Sequence, residues 1–193
     1  MHILGTVGLP GSGKGEFADV AREAHIPVVT MGDVIRQACR DRGVDPVDNH
    51  GEVATALREE NGPAAIAEAS LPHIHEQLSA DDAERLVVDG LRSMVEVEVF
   101  TDEFGDNFDI VSIEAPFDLR AERLDERGRD DTDTDLEALR ERDKRELDFG
   151  MGTVMAAADY RIDNTGSLAE FPYQADTVLA AETETNDLPH YRP

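Results

Sequence analysis

Residues 8–15 form a short segment in which four glycines surround a single lysine. In chain order the segment is Gly8, Leu9, Pro10, Gly11, Ser12, Gly13, Lys14 and Gly15. The spacing G-x-x-x-x-G-K lets backbone N–H groups surround the oxygens of a phosphate chain, and the lysine ammonium reaches the β- and γ-phosphates. Glycine permits the positive φ angles and close backbone approach that such a loop requires. The segment therefore predicts a nucleotide phosphate site with Lys14 as a catalytic ligand.

The residues on either side of this segment match the structure that a phosphate-binding loop needs. Residues 3–7 are a short apolar run, which indicates a buried strand, and residues 16–23 place Phe17, Val20 and Ala21 on one helical face. A loop between a strand and a helix N-terminus gains free N–H groups and the positive end of the helix dipole. The alternative is a glycine-rich turn without a ligand, and the agreement of motif with context favours the phosphate site.

Lysine is rare in this chain, which makes its position informative. Of the 18 basic residues, two are lysines, Lys14 and Lys144, and the others are arginines. One of these two lysines occupies the basic position of the phosphate-binding segment. The composition thus supports Lys14 as the phosphate ligand.

Acidic residues dominate the composition. The chain has 43 Asp and Glu residues and a formal net charge of −25 over 193 residues. Such a charge repels itself in dilute buffer and opposes the compact state, whereas the Debye length falls to ~3 Å at about 1 M salt. Because the acids are dispersed along the chain, a salt-rich, halophilic cytoplasm is favoured over the alternative, an acidic surface for a basic partner.

We therefore expect the thermal stability of the protein to increase as KCl rises from low to molar concentration. Added salt screens the repulsion among the carboxylates, and this repulsion is strongest in the compact state. Thermal unfolding followed by circular dichroism across a KCl series measures the effect. A melting temperature that stays constant or falls across the series would contradict the halophilic interpretation.

The composition also disfavours several classes of protein. The single cysteine, Cys39, cannot form an intrachain disulfide, which fits a reducing interior. The sequence has no apolar run of the ~20 residues that a membrane span needs, and its start lacks the features of a signal peptide. A pI near 4.3 gives no support to direct nucleic-acid binding. We expect a cytoplasmic protein with one domain over residues 1–181 and a loose acidic tail at 182–193.

Apolar runs alternate with helical patterns along the chain. Strands are predicted at residues 2–7, 27–30, 85–89, 108–114 and 159–163. Helices are predicted near residues 14–24, 32–43, 50–60, 63–79, 93–104, 117–128, 134–148 and 167–181. This alternation indicates a three-layer α/β fold in which helices cover both faces of a five-stranded parallel sheet. Ligands of such sheets bind beyond the carboxyl ends of the strands, where Gly8, Asp89 and the loop after Glu114 lie.

Four segments together resemble the adenylate kinase group of P-loop proteins. The glycine after Lys14 is the adenylate kinase form of the loop. Residues 30–36, T-M-G-D-V-I-R, resemble the T-G-D-x-L-R segment of the acceptor-nucleotide site, and residues 89–92, D-G-L-R, resemble D-G-F-P-R one residue short. Residues 162–168, I-D-N-T-G-S-L, are similar to the end of dephospho-coenzyme A kinases, where the turn passes the nucleotide base. The combination most resembles an archaeal family of adenylate-kinase-like P-loop proteins.

The resemblance implies how the site residues divide between donor and acceptor. ATP and Mg²⁺ would bind at residues 8–16, with helical acceptor-site elements at about 32–79 and a short arginine lid at about 120–148. Asp33, Arg36 and Arg92 would bind the acceptor phosphate, Arg92 also acting in catalysis. Arg123 and Arg127 match the R-x-x-x-R of the lid in adenylate kinases and would stabilise the transferred phosphoryl group.

Each of these assignments has a structural alternative. Arg36 could be a solvated helix residue, and Asp33 could be an N-cap after Gly32. The lid arginines could form a salt-bridged helix surface, since many carboxylates are close to them in the sequence. Within the lid, weaker catalytic candidates are Arg129 and one of Arg140, Arg142 and Arg145.

Two acidic residues are candidates for the metal side of the site. Asp89 ends a predicted strand beside the loop, where its carboxylate could hold Mg²⁺ through water, although a plain Asp-Gly turn is the alternative. Glu16 stands where adenylate kinases have Thr, after a glycine where most P-loop enzymes have Ser or Thr. Glu16 could hold magnesium water, contact the acceptor or stabilise the helix N-terminus by its charge. This departure argues against ordinary adenylate kinase activity.

The sequence thus predicts an ATP-binding P-loop protein that transfers the γ-phosphoryl group to an unidentified small, phosphate-bearing metabolite. A nucleoside monophosphate is favoured as acceptor over dephospho-coenzyme A. Two alternatives use the same loop: an ATPase switch whose state is read by a macromolecular partner, and a regulatory nucleotide-binding protein without turnover.

Overall fold

The computed structural model describes residues 1–80, 83–127, 136–166 and 170–181. Its centre is a sheet of five parallel strands in the order β2-β3-β1-β4-β5. The strands are β1 (His2–Val7), β2 (Val28–Thr30), β3 (Arg85–Asp89), β4 (Phe108–Glu114) and β5 (Tyr160–Asp163). Each lies within one residue of its predicted bounds, and the predicted α/β fold class is confirmed.

Helices follow the strands along the described chain. They are α1 (Lys14–Glu23), α2 (Met31–Asp41), α3 (Pro46–Asn61), α4 (Ala65–Ala80), α5 (Met94–Phe104), α6 (Phe117–Arg127), α7 (Leu136–Phe149), α8 (Met151–Ala156) and α9 (Glu170–Ala180). All eight predicted helices are present, but α3 begins four residues before the predicted start. Proline is favoured at the first helical position, here Pro46, and the Asp45 carboxylate accepts a hydrogen bond from Val47 N–H as the N-cap.

Helix α8 was missed because it is only six residues long and directly follows α7. Gly150 separates the two helices in a left-handed conformation with φ 118°, which interrupts the helical pattern. Met151 and Val154 of α8 are buried in the main apolar core.

Apolar side chains pack on both faces of the sheet, as expected for a sheet that lies between two layers of helices. On one face, Ile3 and Val7 of β1 belong to a cluster that includes residues of α2, α3, α4, α5 and α8. On the other face, Leu4 packs in a cluster with Phe17 of α1 and with residues of α9. Side chains of a strand alternate between faces, so one central strand serves both layers.

The register of the central strands positions the loop between β1 and α1. Thr6 of β1 is paired with Asp89 of β3, and Val7 is paired with Ser112 of β4. The carboxyl ends of these three strands therefore meet at one edge of the sheet, where parallel α/β folds bind ligands. Within the described ranges, every helix is too short or too polar to cross a membrane.

Candidate functional site

The loop between β1 and α1 has a backbone that only glycine accommodates at several positions. Gly11 and Gly13 have φ angles of 77° and 115°, in the left-handed region. A Cβ atom on Gly13 would collide with the side-chain amide of Asn164, and one on Gly8 would collide with the backbone of Ile113. Gly13 is also the N-cap of α1, so the loop ends directly at a helix N-terminus. This is the geometry that binds a phosphate chain through backbone N–H groups.

Lys14 closes over this loop. Its Nζ donates a hydrogen bond to the Gly8 carbonyl at 2.6 Å and a longer one to the Leu9 carbonyl at 3.4 Å. Burial lowers the pKa of Lys14 to about 8, and nearby charges then act in both directions. The carboxylates of Asp89 and Glu146 raise this pKa, whereas the guanidinium groups of Arg92 and Arg142 lower it. Lys14 thus lies among charged residues from two other parts of the chain, residues 89–92 and helix α7.

We expect the affinity for an ATP analogue to fall as the pH rises above about 8. Free Lys14 loses its proton with a pKa of about 8, whereas a bound polyphosphate stabilises the ammonium and raises that pKa, so binding takes up a proton. The affinity should fall by up to about tenfold per pH unit until the pKa of the bound state is reached. Calorimetric titrations at constant KCl, in buffers of different ionisation enthalpy, measure both affinity and proton uptake.

The Lys14→Met variant is the control for this pH dependence, because its weaker binding should lack the proton uptake. A wild-type affinity that stays constant over the same pH range would contradict the assignment. The stability of the free protein should change in the opposite direction. The folded pKa of about 8 lies below the unfolded value of 10.5, so the unfolded state holds more protons between these values. The contribution of Lys14 to the free energy of unfolding therefore rises with pH in that window.

Asp89 lies next to the loop at the end of β3. Its Oδ1 accepts a hydrogen bond from the buried Thr6 hydroxyl at 2.7 Å, and the backbone N–H groups of Gly90 and Leu91 bond to the Thr6 carbonyl. Mg²⁺ in nucleotide sites is held by one or two carboxylates, by waters and by the phosphates themselves, and Asp89 fits this donor set. A Cβ atom at Gly15 would meet nothing within 4 Å, so the position of the usual P-loop hydroxyl is open space. Glu16 lies in the first turn of α1, with its Oε2 3.5 Å from the Cβ position of Gly13.

Arg123 of α6 is fixed at the other side of the loop by Asn164, which follows β5. Arg123 Nη2 donates to the carbonyl oxygen and to the side-chain Oδ1 of Asn164, at 3.0 and 3.1 Å. Asn164 is buried, and its Nδ2 donates to the Ser12 carbonyl at 2.8 Å. Asn164 therefore joins α6 to the phosphate-binding loop, a contact that the sequence did not predict.

Two buried polar atoms beside this contact lack a hydrogen-bond partner among the described residues, Arg123 Nη1 and Ser12 Oγ. A buried donor without a partner costs roughly 1–3 kcal/mol, so native proteins rarely leave one unsatisfied. A phosphate-bearing ligand in the loop would supply acceptor oxygens to such donors.

Arg120 lies one helical turn before Arg123, and its side chain is buried and bonded to other residues of the protein. It is 3% exposed and forms a paired hydrogen bond with the Asp143 carboxylate of α7, at 3.0 and 2.6 Å. Its guanidinium also donates to the carbonyls of Pro10 and Ala115. Arg120 thus connects α6, α7 and the phosphate-binding loop. For Arg120, the structure therefore agrees with the alternative to a catalytic role, a salt bridge with a carboxylate.

The other predicted lid arginines are only partly described. Arg127 is the last residue of α6, and the structure describes its backbone alone. Arg129 lies outside the described residues, as does the tail at 182–193. Arg140 lies over the ring of Phe117, 4.6 Å from its centroid. Arg142, by contrast, is an electrostatic neighbour of Lys14, which distinguishes it among the three weaker candidates.

Of the predicted acceptor residues, Asp33 and Arg36 lie on α2, and Arg92 lies in the loop after β3. Arg36 Nη2 lies 2.6 Å from Asp33 Oδ1, one turn apart on α2, and both side chains are largely exposed. Helix α2 begins at Met31 after an N-cap at Thr30, so Asp33 lies inside the first turn and is not the N-cap.

Arg92 is held from two sides. Its backbone N–H donates to Glu96 Oε2 at 2.7 Å, and its Nη1 donates to Glu146 Oε1 of α7 at 3.0 Å. Glu96 is 1% exposed, and its other oxygen accepts a hydrogen bond from Arg58 of α3 at 3.3 Å. This network connects Arg92 to the acceptor-side helix α3 and to α7.

His50 of α3 also lies near these residues, and the sequence did not identify it as a candidate site residue. Its Nε2 lies 3.5 Å, and Arg36 Nη1 lies 3.3 Å, from the position that a Cβ of Gly32 would occupy. Arg92 and Arg142 act electrostatically on His50 as they do on Lys14. These two arginines are therefore electrostatic neighbours of both the phosphate-binding loop and the surface where α2 and α3 meet. A histidine on a predicted helix carries no signal of such a contact, because the contact depends on how two helices pack.

An open pocket of about 650 Å³ adjoins the loop at the carboxyl ends of β4 and β5. This volume is within the range of small-molecule sites. Its lining includes Leu9, Ser12, Pro116, Arg120, Asp163 and Thr165. The turn after β5, which the resemblance associates with the nucleotide base, thus forms part of this wall.

Comparisons with known proteins agree with this geometry. Residues 7–140 match a protein family described as "AAA domain". A UPF0200 protein of Halobacterium salinarum is 52% identical over 189 residues, which cover 98% of each chain. Among solved structures, TT1252 of Thermus thermophilus has a TM-score of 0.66 at 18% identity and covers 93% of this chain and 96% of its own. A shikimate kinase of Bacteroides thetaiotaomicron has a TM-score of 0.58 at 14% identity and covers 92% and 96%.

The structural likenesses show a P-loop kinase-like fold, and the sequence likeness confirms the predicted relation to an archaeal P-loop family. At this identity over nearly its whole length, the chain belongs to the UPF0200 family.

Proposed function

We propose that this protein is an ATP-dependent kinase that transfers the γ-phosphoryl group to a small, phosphate-bearing acceptor. The observation that carries the proposal is Arg92, an electrostatic neighbour of Lys14 that bonds to Glu146 of α7 and, through Glu96, is connected to α3. A kinase needs a donor site and an acceptor site that share a cationic region, because negative charge is spread over the transferred group in the transition state. A protein that only binds a nucleotide has no need of the second site.

In the proposed reaction, an acceptor oxygen attacks the γ-phosphorus and forms the new P–O bond. The bond from the γ-phosphorus to the β–γ bridging oxygen breaks, and ADP leaves with that electron pair. The backbone N–H groups of residues 8–15 and the Lys14 ammonium would hold the phosphates, while Arg92, Arg142 and Arg123 stabilise the equatorial oxygens. Bound Mg²⁺, held through water at Asp89, would neutralise part of the phosphate charge. We place Arg127 with these lid residues on the strength of the R-x-x-x-R resemblance.

The acceptor would lie between α2, α3 and Arg92, with Asp33 orienting Arg36 through their hydrogen bond. The kinase-like fold supports this division of the sheet edge into a donor half and an acceptor half. The favoured acceptor class is a nucleoside monophosphate, because the segments at 30–36 and 89–92 resemble adenylate kinase segments for that ligand.

A screen for ADP release tests the proposal. The protein is purified in molar KCl and incubated with Mg²⁺-ATP and single members of a set of nucleotides and coenzyme precursors, and phosphorylated products are identified by chromatography. ADP release that depends on an added metabolite is expected. Hydrolysis stimulated only by a macromolecule would favour the ATPase switch instead, and binding without turnover would favour a regulatory nucleotide-binding protein.

A further inference from the structure

His50 of α3 and Arg36 of α2 lie close together beside Gly32, where α2 and α3 meet. A side chain at position 32 would place its Cβ 3.3 Å from Arg36 Nη1 and 3.5 Å from His50 Nε2. The two groups thus approach the same point in space from different helices. His50 is partly buried, and the Arg36 side chain is 41% exposed.

The charged groups around His50 come from three parts of the chain outside its own helix. Helix α2 contributes Arg36 and its partner Asp33, and the loop after β3 contributes Arg92. Helix α7 contributes Arg142, and also Glu146, which is the partner of Arg92. The guanidinium groups of Arg36, Arg92 and Arg142 are therefore electrostatic neighbours of the His50 imidazole. Arg36 also pairs with Asp33, and Arg92 with Glu146. We call this set, Arg36, His50, Arg92 and Arg142, the acceptor cluster.

In the free protein the acceptor cluster keeps His50 neutral. Burial lowers the pKa of His50 from its ordinary value, and the charges of Arg92, Arg36 and Arg142 lower it further. A hydrogen bond with the Gly32 backbone opposes this shift. A neutral imidazole among cations gains a proton when a ligand brings enough negative charge to the same place.

We propose that His50 is an acceptor-binding residue that takes up a proton when the acceptor cluster binds a dianionic phosphate monoester. A bound dianion would reverse the local potential, and protonated His50 would then donate a charge-assisted hydrogen bond to a phosphate oxygen. This inference rests on the proposed kinase function. It adds to that proposal the charge of the acceptor and a residue whose protonation depends on that charge.

A hydroxyl acceptor would require the opposite behaviour of His50. To accept a proton from a hydroxyl group, the imidazole must stay neutral in the complex, so ligand binding would leave its pKa low. The direction of the pKa change on binding therefore distinguishes the two acceptor classes.

The first experiment is a histidine NMR titration of the full chain, labelled with ¹⁵N at its histidines, in KCl. Spectra of the His50→Gln variant identify the His50 resonances. AMP is the probe, adenosine is the control without a phosphate, and a non-hydrolysable ATP analogue occupies the loop throughout. We expect AMP to raise the pKa of His50 and adenosine to leave it unchanged. An unchanged or lowered pKa at saturation, or no binding of AMP, would overturn the proposal.

The second experiment measures AMP affinity of the wild type and of His50→Gln between about pH 5 and about pH 8. Their ratio cancels the titration of AMP itself. We expect near-equal affinities at the upper end and a wild-type advantage of about tenfold per unit of pKa shift at the lower end. A purely structural role of His50 would lower the affinity equally at every pH, and that result would count against the proposal.

The failure of this inference can be separated from a failure of the proposed function. The Lys14→Met variant, titrated with AMP alone, should keep the response of His50, because Lys14 belongs to the donor side. If AMP still raises the pKa of His50 but the wild type shows no ATP turnover, the role of the acceptor cluster stands and the kinase proposal is rejected. Turnover with a constant His50 pKa would support the kinase and reject the role of His50.

Discussion

Lys14→Met is expected to lower metabolite-dependent ADP release by about 10²–10³-fold, as the loss of one preorganised donor to a developing charge does in other enzymes. The ammonium lies over the loop within 2.6 Å of the Gly8 carbonyl, and methionine keeps the length and apolar stem of the side chain without the charge. The affinity for an ATP analogue should fall as well, because the ligand's phosphates lose a charge-assisted hydrogen bond. Steady-state rates and calorimetric titrations in molar KCl measure both effects.

Loss of activity in this variant should not come from unfolding. Burial lowers the pKa of Lys14 to about 8, which means that the folded protein disfavours the ammonium at neutral pH. Removing that charge should therefore leave the melting temperature of the free protein unchanged or higher. Lys144→Met is the matched control, since Lys144 is the other lysine of the chain and lies exposed on α7. Unchanged turnover in Lys14→Met, or an equal loss in Lys144→Met, would contradict the assignment of the site.

The sheet and the loop could be predicted from the sequence because their signals are local. Short apolar runs such as residues 86–88 indicate strands buried on both faces. The glycine spacing at 8–15 specifies a backbone conformation and not a contact between distant residues. The short α8 was missed because six residues are too few to show a helical period after the break at Gly150.

The parts of the site that the sequence did not predict depend on contacts between distant residues. Asn164 bonds to Ser12 over 152 positions, and His50 meets Arg36 only because α2 packs against α3. Neither side chain differs in type from many surface residues, so composition and spacing carry no information about them. Their roles follow from burial and from the charges around them.

Arg142 is a further residue whose surroundings could not be predicted from the sequence. The resemblance left Arg140, Arg142 and Arg145 as equal candidates, since each lies on one predicted helix with similar neighbours. Residues two positions apart on a helix face roughly opposite directions. In the structure Arg140 stacks on Phe117, while Arg142 acts on Lys14 and His50. The packing of α7 thus distinguishes Arg142 from Arg140, and we propose Arg142 as the site residue on that ground.

Replacing Arg120 with leucine is expected to lower the free energy of unfolding by about 3–5 kcal/mol. The side chains of Arg120 and Asp143 are 4% and 12% exposed, and their pair has two short hydrogen bonds. The variant leaves the Asp143 carboxylate buried without its counter-ion, and the Pro10 and Ala115 carbonyls lose a donor as well. Urea unfolding in molar KCl measures the loss, since a buried pair is screened far less by salt than an exposed one.

Two variants decide whether this loss comes from the unpaired charge. Arg22→Leu breaks an exposed pair with Asp19 and should cost at most about 1 kcal/mol. The double variant Arg120→Leu/Asp143→Leu removes both charges and should recover much of the stability, because a buried pair replaced by apolar groups is often neutral. If the double variant is as unstable as Arg120→Leu, the carbonyl contacts to the loop stabilise the fold more than the ion pair does. Both variants that lack Arg120 should also bind nucleotide more weakly, since Arg120 fixes Pro10 within the loop that binds the phosphates.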